Sequence, residues 1–421
     1  MKRIPKINVI LLHSLCLISI AAEAQAESTI PYLEVDGNLR TYYFQRNFSK
    51  PNLPNQKAFS FGGKLNALTE DCFDGFRLGA TAYTAQPLGL NAHNPNKVDM
   101  TLPGKPVTTL GQAFLQYENN DFLARMGNQL ISTPWLNEAD SRMIPAAYQG
   151  FYAKMSPMTD FDLMAMRMVR FKSRIKGGFS KTNLYSPINQ GTPINALGNQ
   201  KVIGTLALGA QYKHCDFKAQ IWGYQFYNIA KLYYGDVSYT MDTDTLVRPI
   251  IGAQIGHEHN DGNPVFNAAG VAKKNSDIYG ALFGAEIADG SVTIGYNKIP
   301  KHTGSFQNGN IISPYTAGYA VDPLYTTSMI AGLIDKSAGS ATKGTVQYDF
   351  FEKQLHFLVS YARYKTDPFT PNTSEANFDV TYKPNEQCKN LSLRYRWGLL
   401  RHNPAFGRFI YNRLMVQYDF S

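Results

Sequence analysis

The sequence predicts an all-β protein, a transmembrane antiparallel β-barrel of about 18 strands with short periplasmic turns and long extracellular loops. Three observations carry this: an N-terminal export signal, a hydrophobic period of two along the rest of the chain, and connections that alternate between short and long. The 421 residues are 44% hydrophobic and only 17% charged, with 25 Phe and 26 Tyr, a composition that excludes a disordered chain. After the first two dozen residues no stretch reaches the roughly 18 to 20 consecutive apolar residues of a spanning helix. Membrane residence therefore has to be through strands.

Taken in order, Lys2, Arg3 and Lys6 form a positive region, 7–22 is an apolar core interrupted by small polar residues and His13, and Ala24-Gln25-Ala26 offers a cleavage site. We expect a signal peptide at 1–26 and one mature domain over 27–421, beginning at Glu27. Leu15 stands where a lipoprotein signal needs a small residue, so Cys16 is not read as lipidated. The mature part keeps Cys72, Cys215 and Cys388, too few and too scattered for a disulfide-built scaffold. Cations exceed acids, 41 to 32, without any compact Lys/Arg run. Together with export, this argues against nucleic acid and suits an anion-attracting surface or channel.

From Leu33 onward, Leu33, Val35, Leu39, Thr41 and Tyr43 alternate with Glu34, Asp36, Asn38, Arg40 and Tyr42. Phe59, Phe61, Leu65 and Ala67 then alternate with Ser60, Lys64 and Asn66, and Phe76, Leu78, Ala80 and Ala82 with Arg77, Thr81 and Tyr83. Successive strand side chains point to opposite faces, so each segment has one apolar and one polar face. Tight turns are expected at 70–74, 119–121, 157–160, 214–216, 242–245, 288–290, 351–353 and 384–390. Longer polar connections are read at 45–56, 85–107, 131–148, 172–200, 257–276, 300–341, 365–374 and 399–407, with a short one at 228–231. The last strand alternates Leu414, Val416, Tyr418 and Phe420, the terminal aromatic pattern by which barrel-assembly machinery engages such proteins. In such a barrel the apolar face meets outer-membrane lipid and lipopolysaccharide, and the polar face lines a lumen. A soluble propeller would show a fixed internal repeat, and none is found.

Four segments resemble the OprD family of substrate-selective outer-membrane porins. They are Asp140-Ser141-Arg142-Met143-Ile144-Pro145, the aromatic run Tyr227 through Gly235, Leu391-Ser392-Leu393-Arg394-Tyr395-Arg396, and Arg413-Leu414-Met415-Val416-Gln417-Tyr418. The resemblance implies an 18-stranded monomeric barrel; the chain is expected in the outer membrane of a Gram-negative bacterium, as a monomer or loose trimer without cofactor. The resemblance further implies a third loop folded into the lumen, and uptake of small carboxylate or amino-acid solutes along a row of lumenal arginines. The chain departs from the family by a shorter C-terminus and a variable seventh loop.

Parity assigns the arginines independently. Leu391, Leu393, Tyr395 and Trp397 are read as the lipid set, so Arg394 and Arg396 point inward, and Arg413, Arg40, Arg77 and Arg125 do so by the same rule. An arginine facing hydrocarbon at midplane costs about 2 to 4 kcal/mol. A guanidinium stays charged and presents a planar fork to carboxylate. The competing reading is that these arginines pair with lumenal acids and hold the wall. The third loop, with Trp135, Glu138, Asp140, Ser141, Arg142 and Tyr148, is expected to narrow the pore and set negative charge across from the arginines.

His257-Glu258-His259 has metal-ligand residue types, but is read as outer-loop polarity, with no metal expected. The Met-rich stretch 155–168 is read as wall packing. Two other functions compete. A sugar or chito-oligosaccharide porin would rely on an aromatic track such as Tyr42, Tyr83, Tyr224 and Phe226, and a barrel enzyme would need an ordered Ser, His and acid set that the sequence does not offer.

Overall fold

The computed structural model describes residues 33–71, 74–189, 201–261, 275–366, 372–384, 388 and 390–421. The signal segment, the cleavage point before Glu27, Cys16 and Cys72 lie outside these residues. Eighteen strands follow in chain order: β1 Leu33–Phe48, β2 Gln56–Thr69, β3 Phe76–Gln86, β4 Val107–Glu118, β5 Phe122–Gln129, β6 Ala147–Met158, β7 Phe161–Lys172, β8 Thr205–His214, β9 Phe217–Phe226, β10 Ala230–Thr240, β11 Val247–Asn260, β12 Asn275–Ile287, β13 Gly290–Ile299, β14 Gly339–Phe350, β15 Leu355–Thr366, β16 Thr373–Tyr382, β17 Leu391–Asn403 and β18 Gly407–Phe420. Each pairs antiparallel with its sequence neighbours, and β1 pairs with β18, so the sheet closes and every backbone ladder is satisfied inside the wall. Among the described residues no helix is long and apolar enough to cross a membrane.

The seam shows how sequence sets the closure. Gly37 stands opposite Phe420 in the β1–β18 register, and a Cβ there would meet the Phe420 ring at 2.7 Å. Glycine thus makes room for the terminal aromatic. The predicted alternation holds: Leu39, Leu65, Leu78, Ile221, Phe283 and Leu414 are exposed on the outside, while Asn38, Ser60, Thr81 and Gln116 are buried on the inside. Met155 and Met158 face outward and Met166 and Met168 inward, which fits wall packing. The strand ends bracket all eight expected short turns. In the two-residue turn between β8 and β9, Cys215 adopts a positive φ of 47°. Cys215 and Cys388 are free and exposed.

Three expectations are corrected. The stretch read as a loop at 399–407 is mostly strand: Leu400 pairs with Phe409 and Asn403 with Gly407 across a register shift, leaving only a tight hairpin. His257-Glu258-His259 lies in β11 rather than in a loop. Glu258 is buried inward and accepts the Ile312 amide at 2.9 Å, while His257 faces out and meets Asp277 at 2.8 Å. Alternation therefore splits the would-be ligands between two faces, and no metal cluster occurs among the described residues. The third correction concerns the seventh loop, 300–338, which is not an outer polar connection. Its Ile311, Ile312, Tyr315, Leu324, Leu333 and Ile334 are buried in one apolar cluster with Trp135, Phe171, Tyr224 and Phe226.

Candidate functional site: the arginine wall and its facing loops

The third loop, 130–146, does turn into the lumen. Trp135 is fully buried, its ring edge-on to Tyr234 of β10 at 5.8 Å. Tyr148 donates to the Asn137 carbonyl at 2.9 Å and Lys172 to that of Pro145 at 2.8 Å, so β6 and β7 hold the loop from its own side. On the far side it reaches β1, where Arg40 donates to Asp140 Oδ1 at 2.9 Å and to the Arg142 carbonyl. Glu138 is half-buried, and burial, reinforced by Asp140 and opposed by Lys64, raises its pKa above the usual carboxylate range.

The wall arginines converge at the seam by register. Asp379 of β16 stands opposite Arg396 of β17, which stands opposite Arg413 of β18, which stands opposite Phe44 of β1. Arg394 donates Nε and Nη2 to the two Asp379 oxygens at 2.9 and 2.7 Å, and Arg396 Nε lies 2.8 Å from Asp379 Oδ2. The side chains of Arg394 and Arg396 remain 38% and 17% exposed.

Two sequence expectations change here. Asp140 does not oppose the arginines across a gap, because it binds Arg40 directly, and the loop brings a cation of its own in Arg142. Arg413 is inward as parity requires, yet it is only 2% exposed, its guanidinium packed 4.0 Å from the Tyr411 ring centroid. It presents no open fork to a passing solute. Arg77 and Arg125 sit apart from this group on β3 and β5. Both are in register with Gln116, to which Arg125 donates Nε at 3.0 Å while covering the Phe114 ring at 4.2 Å.

Sequence reasoning missed Asp379, Asp99 and the seventh-loop anchors. Asp379 was findable: Glu375, Asn377 and Asp379 alternate with Ala376, Phe378 and Val380, the same inward parity that located the arginines. Asp99, buried in the second loop with its Oδ2 2.6 Å from Arg46 Nε, carries no such signal. Nor do the anchors of the seventh loop. Glu375 accepts the amides of Ile330 and Ala331 at 2.8 and 3.0 Å, Gln254 donates to the Pro323 carbonyl at 2.7 Å, and Asn297 accepts the Thr326 amide at 3.0 Å.

Comparison with known proteins agrees with this architecture. The sequence model described as "outer membrane porin, OprD family" matches residues 119–317. No curated protein matches the sequence significantly. Among solved structures, OccK9 (OpdG) of Pseudomonas aeruginosa superposes with a TM-score of 0.77 at 19% identity, covering 94% of this chain and 100% of that one. OccAB3 of Acinetobacter baumannii gives 0.76 at 14% identity over 92% and 99%. OpdK of Pseudomonas aeruginosa, solved with vanillate, gives 0.72 at 17% identity over 92% and 98%. The family match over 119–317, the 18-strand closure and the inward third loop make the chain similar to the OprD-family porins, channels for small solutes in the outer membrane of Gram-negative bacteria.

Proposed function

We propose that the channel passes small carboxylate-bearing solutes, which bind transiently to Arg394 and Arg396 on their way through. The observation that carries this reading is the charge count at the seam: two partly exposed guanidinium groups share one carboxylate, Asp379, leaving an uncompensated cation on the lumenal wall. A carboxylate can accept from the N–H groups that Asp379 leaves free, and the partial exposure keeps that grip weak enough for release. OpdK having been solved with vanillate, a carboxylate, supports the same solute class. The third loop sets the bore, and Arg40 fixes its Asp140 end to the wall.

The oligosaccharide alternative is less well supported. Tyr42, Tyr83, Tyr224 and Phe226 are all buried, Tyr224 and Phe226 within the cluster formed with the third and seventh loops, so they form no open track for sugar rings. The deciding experiment is reversal potential in a salt gradient together with benzoate uptake. Arg394→Glu and Arg396→Glu should each shift selectivity toward cations and slow benzoate. If both variants leave selectivity and uptake unchanged, the wall arginines are structural. Export is part of the proposal: N-terminal sequencing of the outer-membrane protein should begin at Glu27.

A further inference from the structure

Four guanidinium groups meet where the second, third, fourth and seventh loops close on the seam. Arg46 and Arg413 come from β1 and β18, Arg142 from the third loop and Arg174 from the start of the fourth. Arg413, Arg142 and Arg46 lie 4.0, 5.7 and 5.0 Å from the Tyr411 ring centroid. Arg174 and Arg142 both donate to the one hydroxyl of Ser141, each at 3.3 Å. Among the described residues Asp99 is the single carboxylate paired with any of the four, and it is taken by Arg46.

The polar accounting fails in one direction. Arg142 Nε, Arg413 Nε and the Tyr411 hydroxyl are buried with no hydrogen-bond partner. The two guanidinium nitrogens can only donate, and the Tyr411 hydroxyl is a single neutral acceptor facing several guanidinium groups, so the cluster is short of acceptors and lacks negative charge at the same place. Buried cations persist when paired, and several like charges gathered without a partner are costly. Burial, aided by Arg413 and Arg174 and opposed by Tyr411, pushes the Arg142 pKa well down, which expresses the same deficit. Water would supply acceptor oxygens but no charge.

We propose that a small inorganic anion resides in this cluster, held by Arg142, Arg174, Arg413 and Tyr411, and that it fastens the third loop to the barrel seam. The occupant is resident rather than in transit, because Arg142, Arg174, Arg413 and Tyr411 are at most 4% exposed. It is therefore distinct from the Arg394 and Arg396 face, and it does not depend on which solute the pore carries.

The test uses the intact barrel in detergent, exchanged at equal ionic strength into chloride, phosphate or the larger organic anion isethionate. Heat-modifiable migration reports the unfolding midpoint. Chloride or phosphate should raise the midpoint by several degrees over isethionate, by mass action on the folded state, and whichever does so names the ion. Arg174→Gln and Arg142→Gln should each lose that increment. Equal midpoints in all three salts would mean that water fills the cluster, and a full increment in both variants would put the anion elsewhere; either result overturns the proposal. Should the variants not fold, equilibrium dialysis of the wild-type barrel against labelled chloride and labelled phosphate decides. One ion must bind in stoichiometric amount and be released on boiling, and retention of neither refutes the site.

Discussion

Replacing Asp379 by Asn removes the carboxylate that Arg394 and Arg396 share, and its consequence follows from which edge it occupies. Asp379 takes Nε and Nη2 of Arg394, the fork that a solute carboxylate would itself use, so the wild-type wall offers solutes a partly occupied site. A hydrogen bond to a charged group contributes about 1.5–3 kcal/mol. The Arg394 side chain is 38% exposed, and solvent screening removes a large part of that. A net gain of about 0.7 to 1.4 kcal/mol remains for a solute that gains the freed fork, or roughly 3- to 10-fold in residence time. Single-channel recording with benzoate reads this as the length of current interruptions. Asp379→Asn should lengthen them by that factor, lower flux at saturating benzoate, and shift resting selectivity toward anions, with heat-modifiable migration retained. If the interruptions keep their wild-type length while Arg394→Gln abolishes them, the arginines bind the solute but Asp379 does not compete for them.

Three further outcomes follow from the loops. Trp135→Ala empties a fully buried ring position against Tyr234; such truncations cost about 3–5 kcal/mol, and a wider, noisier open channel in conductance traces is the expected signature. Glu375→Gln keeps one acceptor and loses the charge from the pair that receives Ile330 and Ala331, weakening that hold by about 1–3 kcal/mol, and added gating events with an unchanged unfolding midpoint would place the loss in the seventh loop. Burial pushes the Asp322 carboxyl up to about 7 from 3.8, and Asp335 in the same loop moves the same way. For an acid raised in the folded state, protonation favours the packed form. Its contribution is full below about pH 4 and is lost as pH rises toward 7, so gating should increase over that window and Asp322→Asn should flatten the dependence.

How far the sequence could be read depended on whether a residue obeys the period of two. The wall does: inward Arg40, Arg394, Arg396 and Arg413 and outward Leu39, Tyr395 and Leu414 all follow from alternation, because a strand that reversed them would put charge in hydrocarbon. Asp379 obeys the same rule, alternating with Phe378 and Val380, and is as legible in the pattern as the arginines it pairs with. Exposure did not follow from parity, since a residue can face inward and still be covered by a loop, as Arg413 is. The loops have no period. The buried apolar residues of 300–338 are interspersed with Gly, Ser and Thr, and it is wall partners such as Glu375, Gln254, Asn297 and Glu258 that show the segment belongs inside. Those partners are separated from it by up to dozens of residues, and no local pattern connects them.

This division has a functional consequence. The wall charges are positioned by backbone ladders: Asp379, Arg396 and Arg413 are set in line by the register of β16, β17 and β18, and moving one means breaking strand pairs in a closed sheet. The bore is set by loops tied to the wall through side chains, such as the Glu375 carboxylate and the Gln254 and Asn297 amides, each contributing about 0.5–3 kcal/mol. A bond of that size opens locally at equilibrium without disturbing the barrel. On the proposed function, charge selectivity is thus rigid and aperture adjustable, and a substitution in one should leave the other largely unchanged. The Arg40 to Asp140 pair crosses this division, because it joins a wall cation to a carboxylate of the third loop. Arg40→Gln should change selectivity and conductance together, whereas Arg394→Gln should change selectivity alone. Joint measurement of reversal potential and unitary conductance in the two variants tests the separation, and equal conductance changes in both would overturn it.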